Sequence, residues 1–164
     1  MGLDGKGRAI EWVTPHIRGL IPIGGIHCSR SLRKEIKRSN CSVSFDKAFA
    51  DVITNCANRD VTWINQTICQ EYGILHSKGL AHSVEIWKNG NLVGGLYGVA
   101  MGSVFFGESM FSLVSNASKI AFAYLLQNSD YKLIDCQIEN KHLESLGAFN
   151  MPRDLFIKQL KAFV

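Results

Sequence analysis

Residues 83–109 read SVEIWKNGNLVGGLYGVAMGSVFFGES, and this stretch decides the fold. Ser83–Lys88, Leu92–Ala100 and Val104–Ser109 are rich in β-branched and aromatic residues, and Asn89-Gly90 is a strong two-residue hairpin signal. Three strands joined by short connections, an antiparallel meander, are predicted. No residue from Asn89 to Gly107 is charged, which raises the question of a membrane span. Asn89-Gly90-Asn91 and the glycines at 94, 95, 98, 102 and 107 answer it, because a hairpin accommodates them and a transmembrane helix does not.

Working outward, Phe49, Val52, Ile53, Cys56 and Ala57 recur at helical spacing and predict a helix from Asp46 to about Asn58. A second helix runs from about Ile64 to Leu75, with Gly79 as its left-handed terminator. Ahead of both lie a short basic helix, Ser31–Arg38, capped by Ser29, and a strand, Cys41–Phe45. Residues 1–28 hold two of the three prolines and several glycines, so irregular or short extended structure is expected there. Downstream come a buried helix over 116–127, a buried strand over 132–137, a short helix over 141–146 stopped by Gly147, and a last helix opened by Pro152. This order predicts an α+β class. It resembles the core of the acyl-CoA N-acyltransferase fold known as GNAT, a mixed, largely antiparallel sheet flanked by helices.

With 164 residues and 46% hydrophobic content, the chain is read as one domain over 1–164. The net charge of +4 makes a polyanion a plausible partner without identifying one. Cys28, Cys41, Cys56, Cys69 and Cys136 are odd in number and contain no C-x-x-C pair, which argues against a disulfide or zinc framework and for a reducing cytoplasm. His76 and His82 lack the spacing of a helical zinc pair and are read as structural. No signal peptide is evident. No metal, cofactor or membrane partner is expected.

The chemistry-bearing candidates are few. Asp135 and Gln137 share one face of a buried strand, where an unpaired polar group costs about 1–3 kcal/mol, so they either complete a structural network or line a cavity. Gly107–Ser112, read as the junction between the last meander strand and its helix, carries Glu108 where a pyrophosphate-binding loop offers bare amides, which disfavours a coenzyme A ligand. Glu108 is suited instead to a cationic group or to a basic neighbour. Trp63, Trp87, Leu96, Phe105, Phe106 and Met110 are candidate walls of an apolar pocket or ordinary core. Arg30, Arg33, Lys34, Lys37 and Arg38 put five basic residues in nine positions, either a solvated face or a grip on nucleic-acid phosphates.

At these residues the chain resembles the leucyl/phenylalanyl-tRNA-protein transferase family. The resemblance is carried by Ser29–Lys34, Thr62–Ile64, Leu75–His76, Ala81–Trp87, Leu92–Val99, Phe106–Ser112, Asn116–Lys119 and Ile134–Gln137, and it runs from about Ile10 through His142–Leu143, Ser145–Ala148 and Pro152–Arg153 to the end. It implies transfer of Leu, Phe or Met from aminoacyl-tRNA to the N-terminal amine of proteins beginning with Arg or Lys, a mark for degradation. By the same resemblance Asp135 and Gln137 form the hydrogen-bonded catalytic pair, Glu108 binds the acceptor, and Trp63, Leu96, Phe105 and Gly107 shape the aminoacyl pocket. The basic helix is then the tRNA-binding element, and the working unit is a monomer. Asp135→Ala is expected to abolish transfer while leaving the fold intact. Family members carry a further aromatic N-terminal region, so residues 1–28 are read as the lead-in from, or remnant of, that region in a short form. The alternative implied by a short form is a non-catalytic tRNA-binding remnant.

Overall fold

The computed structural model describes residues 14–22, 34, 38–138, 141–144 and 147–163. Its strands are β1 (Ile17–Pro22), β2 (Cys41–Phe45), β3 (Ala81–Lys88), β4 (Asn91–Met101), β5 (Val104–Ser112), β6 (Leu133–Gln137) and β7 (Phe149–Pro152). Its helices are α1 (Phe49–Ala57), α2 (Gln66–Ser77), α3 (Ala117–Asn128), α4 (Lys141–Glu144) and α5 (Arg153–Leu160). The strands form one seven-stranded sheet in the order β2-β3-β4-β5-β6-β1-β7. Among the described residues only β5 and β6 pair in parallel; the other neighbours are antiparallel. The predicted α+β class and the meander β3-β4-β5 are both present.

Helices cover the two faces because side chains alternate along each strand. On one face α3 packs Ile120, Phe122 and Leu125 against Leu96, Phe105 and Ile134. On the other, Val52, Ile53 and Cys56 of α1 and Ile68 and Tyr72 of α2 enclose Tyr97 and Ala81. Phe156 of α5 closes the same side further along, against Leu20, Val104 and Leu133.

Local chemistry fixes the helix ends. The Asn65 side chain accepts the Ile68 N–H at 2.9 Å and starts α2. Gly79, at φ +69°, ends it in a Schellman motif, with the Gly79 N–H bonded to the His76 carbonyl and the Leu80 N–H to that of Leu75, each at 2.9 Å. α1 has no side-chain cap of its own. The fully buried Glu85 of β3 instead fixes the residues just ahead of it, accepting from the Lys47 and Ala48 N–H groups and from the hydroxyls of Ser44 and Ser83.

Three features depart from the sequence reading. Ile17–Pro22 is a full strand paired on both sides, and its alternation buries adjacent Leu20 and Ile21 one in each layer of a sheet covered on both faces. β7 is a four-residue edge strand, too short to show a period. β5 continues to Ser112, because its last residues still pair with Gly94–Leu96. The junction leading to α3 is therefore 113–116, not 107–112.

Candidate active site

β5 and β6 run side by side through Val104–Leu133, Phe105–Ile134 and Phe106–Asp135, and there the pairing stops. Two backbone features separate them. On β5, Tyr97 faces Ser109 and Gly98 faces Gly107, which leaves Glu108 as the extra residue of a bulge. On β6, Gln137 adopts φ +65°, a left-handed conformation that turns the chain out of the strand. Where the next ladder bond would form, the Gln137 side chain substitutes, its Nε2 donating to the Gly107 carbonyl at 3.2 Å. Beside this divergence opens a cavity of about 220 Å³.

The cavity has an apolar half and a polar half. Leu96, Phe105, Met110, Phe122 and Leu143 supply the first, and Glu108, Ser109 and Arg59 line the second. Sites for drug-sized ligands or cofactors occupy roughly 300–1,000 Å³, so this one suits a single large apolar side chain better than a coenzyme.

Asp135 lies beside that space, on the α5 face of the sheet. Its carboxylate is fully buried; Oδ2 pairs with the Arg18 guanidinium from β1, and Oδ1 accepts the Gln137 backbone N–H at 2.8 Å. Arg18 in turn sits over the Phe156 ring. Asp135 thus meets Gln137 through the main chain, and the Gln137 amide reaches the opposite strand. Cys136 points to the α3 side and lines the cavity.

Burial pushes the pKa of Glu108 up, an effect opposed by hydrogen bonds from the Tyr72 hydroxyl and the Gln137 side chain and reinforced by the Asp135 charge. Burial raises Tyr72 as well, with the Glu108 charge adding to it, so its phenol stays protonated and donates to the carboxylate. Neither nearby thiol is an activated nucleophile: burial lifts Cys136 to about 12 and Cys56 to about 11.

Leu96, Phe105, Gly107 and Glu108 are therefore brought together at one cavity, with Gln137 bonded to Gly107 and Asp135 behind it. Trp63 stands apart, packed in the cluster between α1 and α2. Of the basic segment, Lys34 and Arg38 are described, helical and exposed; Arg30, Arg33 and Lys37 lie outside the described residues, as does Cys28. His76 and His82 are structural: the Nδ1 of His76 donates to the Ala81 carbonyl at 2.8 Å, and that of His82 to Asp46 at 2.7 Å. Among the described residues no His/Cys/Asp/Glu group has a metal-binding arrangement, and no helix is long and apolar enough to cross a membrane. Arg18, Arg59 and Tyr72 were not singled out from sequence. An isolated Arg in a short strand, an Arg just past a helix end and a Tyr on a core-facing helix stripe carry no local signal of a shared site.

The sequence profile described as "Leucyl/phenylalanyl-tRNA protein transferase" matches residues 20–161. The chain belongs to the leucyl/phenylalanyl-tRNA protein transferase family. Curated proteins of that name are similar over nearly the whole chain. The one from Cellvibrio japonicus is 48% identical, over 96% of this chain and 70% of its own length. Those from Stutzerimonas stutzeri and Ruegeria pomeroyi are 47% and 48% identical, over 94% and 93% of this chain and 72% and 74% of theirs. These transferase-family relatives are thus longer than the chain. Two solved structures share the fold at low identity: a conserved protein of unknown function from Bacteroides thetaiotaomicron (TM-score 0.57, 10% identity, 79% of this chain and 53% of that one) and one from Staphylococcus epidermidis (TM-score 0.53, 11%, 83% and 57%).

Proposed function

We propose that this chain transfers a leucyl, phenylalanyl or methionyl group from aminoacyl-tRNA to the N-terminal α-amine of proteins that begin with Arg or Lys, marking them for degradation. The observation that carries the reading is a small cavity whose apolar lining and half-buried Glu108 carboxylate lie together beside the Gly107–Gln137 contact. The transferred side chain fills the space among Leu96, Phe105 and Phe122. The acceptor's cationic side chain meets Glu108, a charge-assisted contact that favours Arg and Lys over neutral residues. In this reading Trp63 acts from behind the wall, and Lys34 and Arg38 belong to the surface that holds tRNA phosphates.

The reaction is aminolysis of an ester that tRNA charging has already activated. The α-amine nitrogen attacks the ester carbonyl, the amide C–N bond forms, the ester C–O bond breaks, and the ribose oxygen departs with the proton that the amine loses. The contact from Gln137 Nε2 to Gly107 fixes the amide plane, so that Oε1 accepts a hydrogen bond from the incoming amine and aims its lone pair. Asp135 positions Gln137 through its backbone N–H.

The GNAT-like assignment belongs to the same proposal. It rests on the parallel pair β5–β6 inside an otherwise antiparallel sheet, with a site where the two diverge. We place the reaction in the cytoplasm, where charged tRNA is found, with one copy as the working unit.

Radiolabelled Leu-tRNA and a peptide beginning with Arg test the function. Labelled peptide is expected from the wild type, with a loss of at least two orders of magnitude in Gln137→Ala. Salt-sensitive tRNA binding with no peptide product would select the non-catalytic reading, a tRNA-binding remnant, instead.

A further inference from the structure

We infer that Arg59 binds the last internucleotide phosphate of the aminoacyl-tRNA donor, the one that precedes the terminal adenosine. This contact rests on the proposed function. Arg59 follows the end of α1 and lines the polar half of the cavity. Its Nη2 donates to the Ser109 hydroxyl and to the Met110 carbonyl, each at 2.7 Å, which pins the guanidinium against the bulged part of β5. Both N–H groups of Nη2 are thereby used and the guanidinium also meets the Cys56 thiol, which leaves at least two further donors on an exposed residue. Among the described residues no carboxylate pairs with it, and Glu108, in the same cavity, does not.

The two substrates have opposite charges, and so do the two ionic groups at the cavity. A cationic acceptor is drawn to Glu108 and repelled by Arg59. The donor reverses this preference. With its aminoacyl side chain inserted among Leu96, Phe105 and Phe122, its ribose ester sits at the mouth, and the nearest anion on the donor is the phosphodiester one nucleoside away. A guanidinium held in place through Nη2 presents its remaining N–H groups as charged donors to a phosphate oxygen.

Two minimal donors separate this contact from a merely structural clamp: 3′-O-leucyl-adenosine and its 5′-phosphate, each assayed with an Arg-starting peptide. For the wild type, KM for the phosphorylated donor is expected to be lower by about tenfold. In Arg59→Ala the ratio of the two KM values falls to about one. Arg59→Lys keeps part of the difference. Equal KM values for the two donors in the wild type would overturn the contact without reference to any variant, and so would a variant that loses both donors alike. Failure of the wild type to use Leu-tRNA itself would instead overturn the proposed function, and this contact with it.

Discussion

Arg18 and Asp135, 117 residues apart in the chain, form an ion pair across the β1–β6 ladder with the Asp135 carboxylate fully out of solvent. The pair sits behind Gln137 and holds the acid whose second oxygen fixes that residue's backbone. Removing one partner strands the other in a low-dielectric environment, which costs about 3–5 kcal/mol. Asp135→Ala should therefore lose both transfer and a large part of its folding stability, contrary to the sequence-based expectation of an intact fold. Urea unfolding of Arg18→Ala, Asp135→Ala and the double variant measures it. A double variant no less stable than either single one would report the coupling, and additive losses would argue against it.

Glu85 gives a second stability prediction. It accepts from two serine hydroxyls and from the two N–H groups just ahead of α1, so truncation to Ala leaves several donors without a partner. A loss of about 3 kcal/mol is expected for Glu85→Ala, read as a lower urea midpoint. Ser83→Ala, which removes one donor, should cost about 1 kcal/mol.

Two glycines should behave in opposite ways. A Cβ at Gly98 would lie 2.2 Å from the Phe106 carbonyl oxygen and 2.6 Å from the Phe105 ring, so Gly98→Ala forces the cavity wall to move. A destabilisation of about 1–3 kcal/mol and a raised KM for the leucyl donor are expected. At Gly73, inside α2, nothing lies within 4 Å of a Cβ, and Gly73→Ala should stabilise by about 0.4–1 kcal/mol. Thermal melts and donor titrations check both.

The pH dependence follows from Glu108. Burial raises its folded pKa above the ordinary Glu value, so the folded state favours the neutral acid. That contribution to stability is complete below the unfolded pKa and is lost as pH rises through the folded one. At neutral pH Glu108→Gln should therefore be more stable than the wild type, and the gap should close on acidification. Activity runs the other way: as pH falls through the raised pKa, the carboxylate neutralises and KM for an Arg-starting peptide climbs. A flat peptide KM across that window in the wild type would rule out the ionic contact.

The elements that sequence made legible are those whose signal is local. The Asn89-Gly90 hairpin, the apolar stripe of α1 and the nearly all-apolar α3 each announce themselves within a dozen residues. β1 did not, because its partners are Leu133–Gln137 and Phe149–Pro152, far along the chain, and burial of Leu20 and Ile21 on opposite faces leaves no apolar–polar period. The same reason separates what was legible in the site. Leu96, Phe105, Gly107 and Glu108 lie on two consecutive strands and converge. Arg18, Arg59 and Tyr72 reach the same neighbourhood from distant segments, while Trp63, close to α1 and α2 in sequence, stays in their shared core.

The parting of β5 and β6 after Phe106 and Asp135 makes the hollow a property of the main chain rather than of any one occupant of its walls. Exchanging Leu96 or Phe122 for a neighbour of different bulk should thus retune which acyl group is carried while the scaffold stays as it is, much as a socket takes a new fitting without being recast.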